Sequence, residues 1–436
     1  MDAALIAGVV LVVGIAVLLL LRVPIAIAVG FSAFAAVAAV IGLEKASFVA
    51  AQRMFTGINS FALLAIPFFI LAGVLMNNGG IAGRLIDAAK VLVGRMPGSL
   101  AQTNVVANAL FGSVSGAAVA SAAAVGGVIG PRQAKEGYDR NFSAAVNIAS
   151  APSGMLIPPS NTLIVYSLVS STSIATLFVA GYIPGILWAL ACMLIVWLYV
   201  RKRKELDNYQ RVTLPVALLT LWRAVPSVLM IVIVIGGILV GIFTPTESAV
   251  IAVVYCLVLG FAYRSIKVRD LPHIVLDATV TTSIVMLLVG VSTIMAWVMA
   301  FSGIPAAIAN SLLGLTDSPT AILILIMVIL LIVGTFMDPT PAILIFVPIF
   351  LPIVTEFGVD PIHFGIMVTF NLCLGTITPP VGNVLFVGAK VAGLRAEPVI
   401  KALVPFFIAL IAMLFVVAFV PQLSMWLPEL LGLLAP

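Results

Sequence analysis

Asp338 stands in "GTFMDPTP" (334–341), inside an apolar stretch with no basic residue close by. A carboxylate at membrane depth costs several kcal/mol unless it is paired, so such residues are functional by default. Its first chemical reading is coordination of sodium; proton carriage and capping of the helix opened by "DPTP" are the alternatives. Three further stretches share its character: Gly112-Ser113-Val114-Ser115-Gly116, Pro158-Pro159-Ser160-Asn161, and "GTITPPVGN" (375–383), which carries Thr376, Thr378, Pro379, Pro380 and Asn383. Each places glycine or proline beside hydrogen-bonding side chains where lipid leaves every unpaired backbone group costly. Carbonyls freed by such breaks can coordinate a small cation, and half-helix N-termini can face an anion. The Ser/Gly turn alone also reads as close helix packing. Asn161 and Asn383, each just after a double proline, read as helix caps or as direct contacts to cation or substrate.

Other chemistries find no support. No lysine is followed by Ser or Thr, which excludes a GxxxxGK[ST] phosphate loop, and there is no GxSxG elbow or HExxH pair. Catalysis is not expected, nor any cofactor. Cys192, Cys256 and Cys373 lie in apolar runs without CxxC spacing and read as small buried hydrophobes rather than metal ligands. His273 and His363 have no partner in sequence and are expected to be solvated or interfacial.

The elements that hold these residues must be membrane helices. Of 436 residues, 63% are hydrophobic and 8% charged, against about 25% charged in soluble domains. Runs such as "SVLMIVIVIGGILVGIF" do not alternate as barrel strands would. Spans are expected near 4–21, 24–42, 60–77, 139–171, 174–199, 223–243, 246–262, 277–300, 361–393 and 398–420. On that layout all but Lys45 and Arg53 of the 21 basic residues share one side. The positive-inside rule then makes that side cytoplasmic, the N-terminus periplasmic and the 201–223 linker cytoplasmic. The net charge of +5 therefore reports topology and not nucleic acid, with contact to anionic lipid a secondary role for the basic run 201–204.

An internal repeat organises the chain. Pro24 and Pro245 are 221 apart, Gly80 and Gly303 223, Gly112 and Gly334 222, Pro158 and Pro379 221. An odd number of spans per copy inverts the second copy, the signature of secondary transporters with a midplane site. The expected fold is an all-α polytopic membrane protein of two inverted repeats. The first, 1–205, holds a re-entrant hairpin 99–130 turning at 112–116 and a broken helix 139–171. A linker, 206–222, leads to the second, 223–436, with a hairpin 318–356 turning at 334–339 and a broken helix 361–393.

The motifs "GSVSGAA", "GTFMDPTP", "SGMLIPPSN" and "LGTITPPVGNVLFVGAKVAG" resemble the large membrane subunit of tripartite ATP-independent periplasmic (TRAP) transporters, over about Val23 to Pro421. The resemblance implies an elevator-type, sodium-driven importer of organic anions such as C4-dicarboxylates, sialic acid or sugar acids in a bacterial inner membrane. It implies two partners, a small four-helix membrane subunit and a periplasmic substrate-binding protein; with Met1 opening directly on the first span, the small subunit is expected on a separate polypeptide. It also implies sodium sites at Gly112, Ser113, Ser115 and Gly116 with Pro158 and Asn161, and at Gly334, Thr335, Met337 and Asp338 with Thr376, Thr378 and Pro379. Substrate contacts would fall at Ser115, Ala117, Ser160, Asn161, Pro339, Thr340, Pro380 and Asn383. A stand-alone sodium/dicarboxylate symporter and, more remotely, an ion channel are the competing readings. The final stretch "PQLSMWLPELLGLLAP" is too short to span and reads as an interfacial helix or a tail.

Overall fold

The computed structural model describes residues 3–201, 203, 213–313 and 318–434, and those residues form helices with no strand among them. The first half runs α1 (Ala3–Leu20), α2 (Ile25–Ile41), α3 (Leu43–Ile58), α4 (Ala65–Asn78) and α5 (Ile81–Val93). The hairpin α6 (Ser99–Ser115) and α7 (Ala118–Lys135) follows, then α8 (Arg140–Ser150), α9 (Ser153–Leu156), α10 (Asn161–Ser170) and α11 (Ile174–Arg201). The second half repeats the order: α12 (Leu214–Leu239), α13 (Pro245–Ala262), α14 (Leu271–Phe301), α15 (Ile304–Leu313), the hairpin α16 (Pro319–Phe336) and α17 (Pro339–Glu356), α18 (Pro361–Gly375), α19 (Asn383–Val391) and α20 (Ala396–Phe419), ending in α21 (Gln422–Leu430). One continuous α14 stands where α3 and α4 are separated by Asn59-Ser60 and a short 3-10 turn at Phe61–Leu64.

Packing carries the repeat into three dimensions. α4 lies on α13 as α14 lies on α2; α10 lies on α17 as α19 lies on α7; α8 lies on α20 as α18 lies on α11. Each pairing is its counterpart with the halves exchanged, as a two-fold relation between copies requires. Trp188 fixes the centre: buried, its Nε1 donates to the Ala149 carbonyl at 2.8 Å, and its ring meets Phe370 at 4.6 Å.

Seven described helices are long and apolar enough to cross a membrane alone, or up to eight if α4 and α5, bent by 76°, count as one span. Two of the seven, α16 and α17, are the arms of the second hairpin, 18 residues each, about 27 Å of helix. Length therefore does not separate an arm from a span here. α1, α2, α10 and α18 are shorter apolar helices; the last two belong to the broken elements.

Several boundaries move. Both hairpin turns are tighter than the sequence implied: helix persists through Gly112–Ser115, with the reversal at Gly116 (φ +63°) and extended Ala117, and through Gly334–Phe336, with the reversal at Met337-Asp338. The first hairpin continues past 130 to Lys135 with Pro131 inside α7, because Gly126, Gly127 and Gly130 let the preceding turn absorb the ring clash. The expected linker 206–222 is helical from Leu214 onward, and its part from 206 to 212 lies outside the described residues. His273 is exposed and paired with Asp277 at 3.1 Å. His363, expected at a solvated end, is buried: Nδ1 meets Ser424 Oγ at 2.6 Å and Nε2 the Ala418 carbonyl at 3.1 Å. Those partners come from α21 and the end of α20, so the C-terminal stretch is a helix docked on α11 and α18. All three cysteines are buried and free.

Candidate functional site

Two backbone crossings build the site. The last turn of α6 passes so close to α9 that a Cβ on Gly112 would lie 2.8 Å from the Gly154 Cα. In the second half a Cβ on Gly375 would lie 2.5 Å from the Gly334 Cα. Only glycine fits at either crossing, and each brings a hairpin end against a broken helix. Gly154 and Gly375 were not among the expected site residues, although they are 221 apart, the spacing of the repeat.

Immediately after each crossing the chain leaves helix at a cis double proline, Pro158-Pro159 or Pro379-Pro380. In the first half Ser160 organises the break: its hydroxyl donates to the Met155 carbonyl and accepts the Leu163 N–H at 3.4 Å, capping α10. In the second half Gly382 donates its N–H to the Thr335 carbonyl at 2.9 Å, tying break to hairpin, and the Val384 N–H reaches the Thr376 carbonyl at 3.1 Å. Ser160, expected against substrate, caps α10 and is fully buried. The prolines do not themselves start the next half-helix, which begins at Asn161 or Asn383.

Four hydroxyls around these breaks have their hydrogens engaged. Ser113 donates to Leu110 O at 2.9 Å, Thr335 to Ile332 O, Thr376 to Cys373 O and Thr378 to Leu374 O, the last three at 2.7 Å. A hydroxyl has one hydrogen and two lone pairs, so what each has left to offer is an acceptor. Asp338 adds the carboxylate. It caps α17 by accepting the Thr340 N–H at 3.4 Å, with the Asn383 side chain close to it. Capping and cation coordination are thus compatible in one residue. Asn161 sits on the first tip: a Cβ on Gly116 would lie 2.8 Å from its Nδ2.

Both tips and both breaks open on one cavity of about 210 Å3. Gly116, Ala117, Asn161, Asp338, Thr340 and Thr376 line it from the hairpins and breaks, while Ile66 and Ile70 of α4 and Thr281 and Val285 of α14 face them. Ser113, Ser115, Gly334, Thr335, Met337, Thr378, Pro158, Pro379, Pro339, Pro380 and Asn383 do not line it, standing behind it or beside it in the same tips and breaks. Thr162 was missed by the sequence reading; it lines the cavity, is buried, and its hydroxyl has no partner. Its place directly after Asn161 was the available signal. Asp338 is the only charged residue in the lining. No group of three or more His, Cys, Asp or Glu suited to a metal occurs among the described residues.

Paired hairpins and broken helices meeting at an interior cavity that both copies line define a membrane transport protein of the inverted-repeat class. The family description "Tripartite ATP-independent periplasmic transporter, DctM component" matches residues 12–423. The chain belongs to that family. It is 51% identical to the uncharacterized protein YgiK of Salmonella typhimurium, over 95% of both chains. It is 39% identical to the C4-dicarboxylate TRAP transporter large permease protein DctM of Pseudomonas aeruginosa, over 88% of this chain and 90% of that one. Among solved structures, the YdaH transporter of Alcanivorax borkumensis, described as having an unusual topology, superposes over 89% of both chains with a TM-score of 0.60 at 12% identity; that likeness concerns the fold alone.

Proposed function

We propose that this chain is the large membrane subunit of a sodium-driven importer for a small organic anion. A periplasmic binding protein delivers the anion, and a small membrane subunit completes the complex. The observation that carries the reading is the convergence of Asp338 and acceptor-poised hydroxyls beside a cavity lined by both copies of the repeat. Sodium binds at each crossing of hairpin and break: Gly112, Ser113, Ser115, Gly116, Pro158 and Asn161 surround one ion, and Gly334, Thr335, Met337, Asp338, Thr376, Thr378 and Pro379 the other. The substrate occupies the 210 Å3 cavity between Ala117, Asn161, Thr340 and their neighbours. With no Lys or Arg in the lining, the two bound cations and the half-helix N-termini supply the positive field for a carboxylate.

The cavity separates hairpin and break elements from α4 and α14, which supports an elevator motion: α6–α10 and α16–α19 move as one body along a frame built from α1–α5 and α12–α15. Basic loops on one face support a multi-pass placement in a bacterial inner membrane with 201–223 cytoplasmic. The test is uptake of labelled organic acids into proteoliposomes with both partners present, with and without a sodium gradient. Asp338→Ala is expected to abolish sodium-dependent uptake while the protein remains in the membrane; wild-type rates in that variant would remove Asp338 from the mechanism. Transport without a binding protein would favour the stand-alone symporter instead.

A further inference from the structure

A larger cavity, about 560 Å3, opens at the other end of the same helices, between α6, α7, α8 and α19. It lies on the basic face, its mouth flanked by Arg140 at the start of α8 and Lys390 near the end of α19. Its size falls in the range of small-ligand pockets, roughly 300–1,000 Å3. No residue of the 210 Å3 cavity lines it.

The chemistry of its wall is one-sided. Asn104 is fully buried, and its Nδ2 has no partner, while its Oδ1 accepts from Asn108 at 2.8 Å. Ser143 is 5% exposed and its hydroxyl is also without a partner. Asn147 has nothing to spare: its Oδ1 accepts from Asn108 and its Nδ2 donates to the Ala122 carbonyl. Arg140 uses one nitrogen on the Ala392 carbonyl at 2.9 Å, leaving further N–H groups, and Lys390 is exposed with three donors. No Asp or Glu lines the cavity; nearby Asp139 is engaged in capping α8 through the Phe142 N–H. The buried amide nitrogen and the two cations can only donate, and the hydroxyl is free to do so. A buried polar atom left without a partner costs about 1–3 kcal/mol, and two at one cavity wall point to a ligand that accepts.

We infer that this cavity is a second binding site for a small carboxylate anion, independent of sodium and distinct from the proposed midplane site. Lys390 and Arg140 draw the carboxylate to the mouth, and Asn104 and Ser143 receive its oxygens at depth. On the topology proposed above it faces the cytoplasm, where released substrate or another organic acid would reach it; the binding itself does not depend on the transport reading.

The test is equilibrium binding of labelled succinate to the purified chain in nanodiscs of zwitterionic lipid, in sodium-free buffer. Saturable binding is expected. Lys390→Gln is expected to weaken it roughly tenfold. Ala134→Leu is expected to weaken it at least as much, because Ala134 lines the cavity from an exposed position in the last turn of α7, so the larger side chain narrows the cavity without displacing buried packing. Asp338→Ala is expected to leave this binding unchanged, which keeps it separable from sodium-coupled uptake. Absence of saturable binding, or binding indifferent to both Lys390→Gln and Ala134→Leu, would overturn the site. Displacement of succinate by anionic lipid added to the discs would assign the donors to headgroups and equally overturn it.

Discussion

At the first residue before the returning helix of each hairpin, the halves differ by one functional group. The first half has Ala117, the second has Asp338, 221 residues on, and each directly precedes its helix, α7 or α17. The neighbouring amides are retained: Asn161 lies against Gly116 and Asn383 against Asp338. Behind the tips the contrast reverses. In the first half Asn108 Nδ2 shares its two hydrogens among Asn104 Oδ1, Asn147 Oδ1 and Ser150 Oγ, all within 3.0 Å, and Asn108 Oδ1 accepts from Ser121 at 2.7 Å, a buried network joining α6, α7 and α8. In the second, the buried Asn371 makes one bond, Nδ2 to the Met327 carbonyl at 2.8 Å, and its Oδ1 has no partner. Duplication preserved the backbone crossings and let polar content diverge. One copy keeps neutral dipoles deep in the protein, and the other keeps the only carboxylate at the shared cavity.

That difference orders the effects of mutation on transport. Removing Asp338 is expected to lower sodium-dependent uptake about a hundredfold or more, the scale of a few kcal/mol of lost charge stabilisation. Ser113→Ala, which removes a neutral acceptor from the other tip, is expected to cost about tenfold. Initial uptake rates at saturating substrate over a sodium titration measure both; equal losses would mean that the halves contribute alike and that the carboxylate is not special.

The crossings are where the halves should behave the same. Gly154→Ala and Gly375→Ala both press a methyl group against backbone that cannot rotate away, and each is expected to destabilise by about 3 kcal/mol, the upper range for overpacking. Thermal unfolding in detergent reads this. A tolerated substitution at one site and not the other would show that only one crossing is tight in solution.

The sequence made legible those groups that lipid would punish. Asp338, the two double prolines and the glycine-rich turns advertise themselves because each is costly in hydrocarbon, and the repeat spacing paired them. What offsets the cost was hidden, since it lies in contacts remote in the chain. The partner of Gly112 is Gly154, the Gly382 N–H is taken by Thr335, and His363 is held by Ser424, 61 residues away. The turns were read too long for the same reason: tertiary packing lets helix continue through Gly334 and Thr335, where local propensity suggests a break. The donor-lined cavity at the basic face was invisible, because Asn104, Ser143 and Lys390 are unremarkable until α6, α8 and α19 meet.

The smallest effect is also the sharpest on divergence. Asn108→Leu leaves the acceptor atoms of Asn104 and Asn147 without their shared donor and leaves the Ser121 hydroxyl only its longer bond to the backbone carbonyl of residue 108, all in buried positions. It is expected to destabilise by about 2 kcal/mol, the cost of orphaned polar groups. Asn371→Leu loses the bond to Met327 O, but it also removes an Oδ1 that has no partner in a buried site. The two terms oppose, so the change is expected to fall within about 1 kcal/mol of neutral. Comparing the two variants by the same unfolding measurement isolates the network from the mere presence of a buried amide. Equal destabilisation would mean that Asn371 has a partner in solution and that the second half is as polar inside as the first.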